Sequence, residues 1–323
     1  MLEVKPYHSS LKADWDQFIK NSKNGTFLFY RDFMEYHSDR FEDFSLMVYE
    51  KQKLLAVLPA NRVEDEIFSH QGLTYGGVIL SKKIKFEKVL EVVKESLKYL
   101  KQKNILKLQL KLVPKIYHTY PSDEIDYLLF LLKAEKIRCD VSATIHLDNP
   151  LKIQSNRLEG VKKANKKLLE IKKENDFYSF WQEILMPNLK QTHNAKPVHS
   201  VKEIEFLAKK FPNQIHQFNV YLKNEIVGGA TIFETETVAH VQYISANDQK
   251  QQLGTLDFLF QHLIEREFSH KKYFDFGTSN EQHGLKLNKG LVYWKECFGA
   301  RSIAHEFYRL KTGTYEDLNH IFI

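Results

Sequence analysis

One order of elements runs through this chain twice, and that recurrence restricts the fold more than any single motif does. In the first half, "FSLMVYEKQKLLAVLPANRV" alternates apolar and polar residues about a turn, as a β-hairpin does, and "GLTYGGVIL" adds a further extended piece. A helix follows, because Phe86, Val89, Leu90, Val93, Leu97 and Leu100 recur at helical spacing and line one stripe. "ILKLQLKLV" then alternates as a strand, and "IRCDVSATIHL" supplies another. The second half repeats the order: "HQFNVYLKNEIVGGATIFE" as a hairpin around Lys223-Asn224, then "VAHVQYISA", then a helix with Leu256, Leu259, Phe260, Leu263 and Phe268 on one face, then "YFDFG" and "IAHEFYRL" as strands. Two extra helices precede this second copy, "DFYSFWQEILMPNLKQ" and "SVKEIEFLAKKF", the latter with Ser200 and Glu203 at capping-box spacing.

Strands interleaved with single amphipathic helices bury both kinds of face only as mixed sheets with helices laid on them. The expected fold class is therefore α/β, with α+β mixed sheets, in two copies of one unit. Asn149-Pro150 in "LDNPLKIQSN" interrupts a strand pattern, and Ser155 or Asn156 can cap the helix beyond it, so the expected modules are 1–150 and 151–323. A chain of 323 residues with 43% hydrophobic content can furnish a core for each.

The charge balance, 47 basic against 41 acidic side chains for a net +6, favours phosphorylated or otherwise anionic partners. Cys139 and Cys297 are far apart and form no CxxC, so neither a disulfide framework nor a zinc site is expected, and a reducing cytoplasm fits. The N-terminal charges exclude a signal peptide, and apolar runs such as "YLLFLL" fall far short of the roughly 20 residues that span a bilayer, so no integral membrane segment is expected. His193 and His199 lack a third ligand at a recognisable spacing, and no HExxH occurs, so no metal is expected. GxSxG, Walker A and GxGxxG are absent as well, which removes the usual anchors of serine hydrolases, P-loop enzymes and dinucleotide-dependent oxidoreductases.

The successive stretches "NRLEGVKKANKK", "DFYSFWQEIL", "KPVHSVKEIEFLAKKFP", "EIVGGATIFE", "VAHVQYISAN", "GTLDFLFQHLI", "YFDFGTSNEQHG" and "YWKECFGA" resemble the motifs of the Fem/BioF2-like acyltransferases of the GNAT superfamily. That family includes the peptidoglycan-branching aminoacyltransferases and is built from tandem GNAT modules. The resemblance covers residues 150 to 310; over the first half it rests on element order and on "HQGLTYGG". It implies an N-acyltransferase that moves an acyl or aminoacyl group from acyl-CoA or aminoacyl-tRNA to an amine. The implied acceptor is a small-molecule amine or a nucleotide-linked precursor such as those of the cell envelope, and tRNA is an implied partner.

The resemblance also implies residues. It places an aromatic-Lys pair, here Trp294 and Lys295, where an ammonium can stabilise the oxyanion of acyl transfer while the indole sheds water. The competing reading packs Trp294 in the core and leaves Lys295 in solvent beside Glu296. In "FDFGTSNEQHG", Gly277 lets the backbone leave the sheet, and polar side chains at the C-terminal end of a strand sit where open α/β sheets bind ligands. Thr278, Ser279 and Asn280 are then candidate walls of the acceptor pocket, Glu281 and His283 candidate general bases, and Tyr243 a further substrate contact. The donor-binding pattern Q/R-x-x-G-x-G/A is met by "QQLGTL" at Gln251 and Gly254, followed by Thr255, but Leu256 stands where a small residue is expected. That departure argues against coenzyme A and is compatible with Fem-type members, which take their acyl group from aminoacyl-tRNA.

Lys162, Lys163, Lys166, Lys167, Lys172 and Lys173, with Arg157, compose a cationic segment suited to RNA, a nucleotide-linked acceptor or anionic lipid, or simply a solvated face. His70, Tyr75, His118 and Tyr120 collect around first-half glycines; Tyr75 and His118 are the candidate cleft walls there. Cys297 is a rival nucleophile only if "GLVYWK" is a strand, which would put residues 295 and 297 on one face. A different functional class also fits: a non-catalytic GNAT-like module that holds a nucleotide-linked or RNA ligand on the basic helix.

Overall fold

A computed structural model describes all 323 residues apart from the side chains of Thr192 and His193, so the His193 side chain considered above lies outside the described residues. The chain forms two compact units, 1–140 with 304–323, and 141–303. The chain thus leaves the first unit inside the strand Glu135–His146, before Asn149-Pro150, and residues 304–323 return to it. A proline marks where a strand stops; it carries no information about which strand a distant segment will pair with.

In the first unit, the strands Leu2–Pro6, Leu46–Glu50, Lys53–Leu58 and Ile79–Leu80 form a four-stranded antiparallel sheet. Glu66–Phe68 lies parallel to Lys107–Lys111, and Lys107–Lys111 pairs antiparallel with Phe307 to Lys311 of the returning strand. Helix Phe86–Gln102 sets the foreseen stripe, Val89, Leu90, Val93, Leu97 and Leu100, against Leu46, Val48, Leu58, Leu108, Leu110 and Leu310. The stretch "GLTYGGVIL" contributes the two-residue strand Ile79–Leu80, and its Gly76 makes an isolated parallel bridge to Leu112.

In the second unit, Glu170–Glu174, Ile215–Leu222, Glu225–Glu234 and Val238–Ala246 pair antiparallel in that order. The turn at Lys223-Asn224 has φ 49° and 70°, the two positive values that a twist-matched two-residue hairpin loop requires. Val238–Ala246 then runs parallel to Tyr273–Thr278, which pairs antiparallel with residues 142–146. One face buries Ala143, Ile145, Phe218, Val220, Ala230, Ile232, Ala239, Val241, Phe274 and Phe276 under Leu259 and Phe260 of helix Thr255–His262. The other face meets the π-helical turn Phe180–Leu185, whose Phe180 ring lies where a side chain at Gly229 would be. The capping box forms: the Ser200 N–H donates to Glu203 Oε2 at 2.7 Å, and the Glu203 N–H to Ser200 Oγ at 3.3 Å.

Candidate functional site

The parallel ladder of the second unit stops early. Val238, Ala239 and His240 pair with Tyr273, Phe274 and Asp275, and there the strands part; residues 241–246 continue beside 228–232, while Thr278 pairs with Ser142. Such a divergence at the C-terminal ends of parallel strands is where α/β sheets open for ligands.

Its last rung carries the chemistry. The Asp275 carboxylate is 1% exposed; Oδ1 accepts from the Ser142 hydroxyl, from Thr144 Oγ1 at 2.9 Å and from the Gly277 N–H at 3.1 Å. Its Oδ2 meets His240 Nδ1 at 2.9 Å. A carboxylate surrounded by donors fixes the imidazole tautomer: Nδ1 carries the proton, which makes Nε2 the basic nitrogen. The His240 side chain remains 12% exposed, so the couple borders accessible space.

Lys295 stabilises the turn that follows. Residues 289–296 form a helix capped by Asn288, whose Oδ1 accepts from the Leu291 N–H at 3.0 Å, so this segment is neither strand nor loop. The helix buries Lys295 to 3% exposure and directs Nζ onto Gly277 O (2.8 Å), Thr278 O (2.9 Å) and Ser279 Oγ (2.8 Å). Burial pushes the ammonium down to about 8, against the pull of Asp275. Three acceptors require three N–H groups, which only the charged form possesses. The ammonium is thereby engaged with the chain's own turn. Gly277 itself has φ +73°, and a Cβ there would stand 3.3 Å from His240 Cε1.

Among the other foreseen residues, the Thr278 side chain faces solvent, Ser279 is buried on Lys295, and Asn280 Oδ1 accepts from the Val141 N–H at 2.6 Å. Glu281 and His283 are exposed on the hairpin Asn280–Glu281/Lys286–Leu287, where Glu281 Oε1 accepts from Asn288 Nδ2 at 3.0 Å. Trp294 faces the core, edge-on to Phe260 (5.3 Å), Phe276 (5.6 Å) and Phe298 (5.0 Å). Cys297 is fully buried, and on a helix residues 295 and 297 point apart. Tyr243 packs on Trp181 of the π-helical turn, its Oη 2.6 Å from His199 Nδ1, and burial raises the phenol to about 12.

The glycine loop is occupied by the protein. Gly254 adopts φ +72°, and a Cβ on it would fall 2.0 Å from Gly160 O of helix Ser155–Lys166. Thr255 is fully buried, and Gln251 is exposed. Asp257, in the first turn, takes Arg157 Nη1 at 2.9 Å, and burial raises its carboxyl while Arg157 opposes that rise. The lysines at 162, 163, 166 and 167 stand exposed; Lys172 covers the Tyr221 ring at 4.6 Å and Lys173 pairs with Glu267 at 2.6 Å.

In the first unit, Tyr75 is a core residue, 2% exposed, donating to Thr26 Oγ1 at 3.1 Å. His118 lines a small cavity of mixed lining with Asn24, Val78, Leu112, Val113 and Ser122; burial lowers it to about 4. Among the described residues no group of His, Cys, Asp and Glu is placed to hold a metal, and no helix is long and apolar enough to cross a membrane.

His240 and Asp275 were not singled out in the sequence. The signal was present: an acid between Phe274 and Phe276 in an otherwise apolar strand must find buried donors, and the preceding strand carries one imidazole, His240.

The fold is that of tandem GNAT proteins, as the resemblance implied. A crystal structure of FemX matches with a TM-score of 0.68 at 10% identity, over 98% of this chain and 99% of that one. A tandem GNAT protein from the clavulanic acid biosynthesis pathway, solved without AcCoA, matches at 0.51 and 10% identity over 97% and 99%. L-PGS from Bacillus licheniformis matches at 0.52 and 15% identity over 80% and 81%. Identities this low speak for the fold. No protein-family model matches the chain, and no curated protein matches it in sequence.

Proposed function

We propose that the chain is an N-acyltransferase whose chemistry takes place where strands 238–246 and 273–278 part. The observation that carries this reading is the His240–Asp275 couple on the last rung of the parallel ladder. The amine nitrogen attacks the carbonyl carbon of an ester or thioester. The new C–N bond forms, the bond to the carrier oxygen or sulfur breaks, and the amine proton passes to His240 Nε2 and then to the leaving group. Asp275 orients the imidazole and stabilises the imidazolium. Lys295 is a positioning residue in this scheme: it clamps the Gly277 turn that donates to Asp275. Thr278 and the exposed hairpin residues Glu281 and His283 flank the same turn, and the acceptor is a small-molecule or nucleotide-linked amine.

The donor follows from helix 255–262. A helix start binds phosphate through open N–H groups and a positive dipole end. Here that start is packed on Gly160 and carries its own carboxylate, Asp257, so it is a poor cradle for a pyrophosphate. This favours aminoacyl-tRNA over acyl-CoA as the carrier. The test offers purified protein radiolabelled acetyl-CoA or charged tRNA with a panel of amines. Label in an amide from charged tRNA is expected; uptake from neither carrier rejects the enzyme reading, and uptake from acetyl-CoA alone rejects the choice of donor.

A further inference from the structure

The first unit holds a charged arrangement that the acyl-transfer reading leaves unused. Lys111 ends the strand Lys107–Lys111 beside Phe307, with Nζ 5.4 Å from the ring centre. Arg138 approaches the same ring, Cζ at 4.8 Å. Its guanidinium grips Asp140 through Nε at 2.9 Å and Nη2 at 2.7 Å, and Asp140 is 4% exposed. The one carboxylate whose charge reaches Lys111 is therefore committed to the arginine.

Lys111 Nζ donates a single hydrogen bond among the described residues, to Leu73 O at 3.1 Å, so two of its N–H groups lack an acceptor from the chain. Arg138 likewise keeps three of its five N–H groups after gripping Asp140. Arg309, two residues beyond Phe307, is turned to Glu66 at 3.5 Å and does not share this position. Desolvation draws Lys111 down to about 8; Arg138 pushes the same way and Asp140 opposes. Half-buried cations are normally paired or hydrogen-bonded in full, because stripping water from a charge is costly. Lys295, in the second unit, satisfies that rule with three acceptors; Lys111 does not.

We propose that Lys111 and Arg138, which both lie against the Phe307 ring, form a binding site for a phosphoryl group. The spare donors number five, two from the ammonium and three from the guanidinium, and they suit an anion with three oxygens better than one with two. Both side chains are half-buried, so a ligand can reach them. The site stands whether or not the second unit catalyses acyl transfer.

The full-length chain is titrated with inorganic phosphate at ionic strength held constant with chloride, following the melting temperature and phosphorus-31 line width. A saturable rise and broadening are expected in the wild type, with apparent affinity reduced at least tenfold in Lys111→Met. No response in the wild type, an equal response in Lys111→Met, or an acetate response as strong as that to phosphate overturns the proposal. Should Lys111→Met fail to fold, Arg138→Lys keeps a charge against Asp140 while removing the fork. A severalfold loss of phosphate affinity in it is expected, and an unchanged response overturns the site.

Discussion

The two units hold the same device and use it differently. Each contains a parallel pairing beside antiparallel ones, 66–68 with 107–109 in the first and 238–240 with 273–275 in the second. On the last rung, the first unit places Phe68 opposite Gln109, and the second places His240 opposite Asp275. Two residues further on, one has Lys111 and the other Gly277. Past the rung the second unit's strands part, whereas in the first the Gly76 N–H donates to Lys111 O at 2.6 Å and keeps the backbone closed, so only side chains distinguish that position. A charge is tolerated in the second unit because donors converge on it, and in the first because a ligand is expected to complete it.

The sharpest way to break this contrast is His240→Gln, which keeps a hydrogen-bonding side chain and removes the base. Turnover should fall by about 10²- to 10⁴-fold with folding intact. A variant with wild-type turnover would leave the two rungs equivalent. Lys295→Met comes next. It strands two carbonyls and a hydroxyl, so denaturant unfolding should show a loss of about 3 kcal/mol, and kcat should fall while KM for the donor changes less.

Acid should separate the units. Burial lowers His37, His70 (to about 3) and His118 (to about 4), so each stays neutral in the folded first unit where the unfolded chain is protonated. Their contribution is full above about pH 6.5 and is lost as pH falls toward those values, roughly 2 kcal/mol at pH 5 for His70 alone. In the second unit, burial would raise Glu234, but His216 and Lys271 hold it near 2, so its contribution is full above about pH 4.5 and is lost only as pH falls toward 2. Hydrogen exchange at pH 5, corrected for intrinsic rates, should therefore show helix 86–102 opening before strands 215–234; simultaneous opening would erase the distinction. Smallest is Ser200→Ala, which removes one half of the capping box and should cost about 1 kcal/mol, confined to the second unit.

What the sequence disclosed follows from the range of the forces involved. Helix 86–102, the Lys223-Asn224 hairpin and the Ser200 cap were readable because each is decided by residues within a turn or two of one another. The helix at 289–296 was not, since "GLVYWK" is too short for periodicity to separate helix from strand. The pairing of Phe307 with Lys111 was hidden because many alternating segments compete for the same edge. At the site, Lys295 and the residues after Gly277 were legible only as separate candidates; that the three ammonium N–H groups are all engaged on that turn is a matter of side-chain direction, which spacing does not encode.

The return of residues 304–323 has a consequence for synthesis. The second unit is a continuous insertion, and its strands through 273–278 and the helix after them are made before residue 304. Leu310 belongs to the core beneath helix 86–102, so that core stays unsealed while the whole insertion is translated. The half of the protein that begins the message is thus the half that finishes folding last.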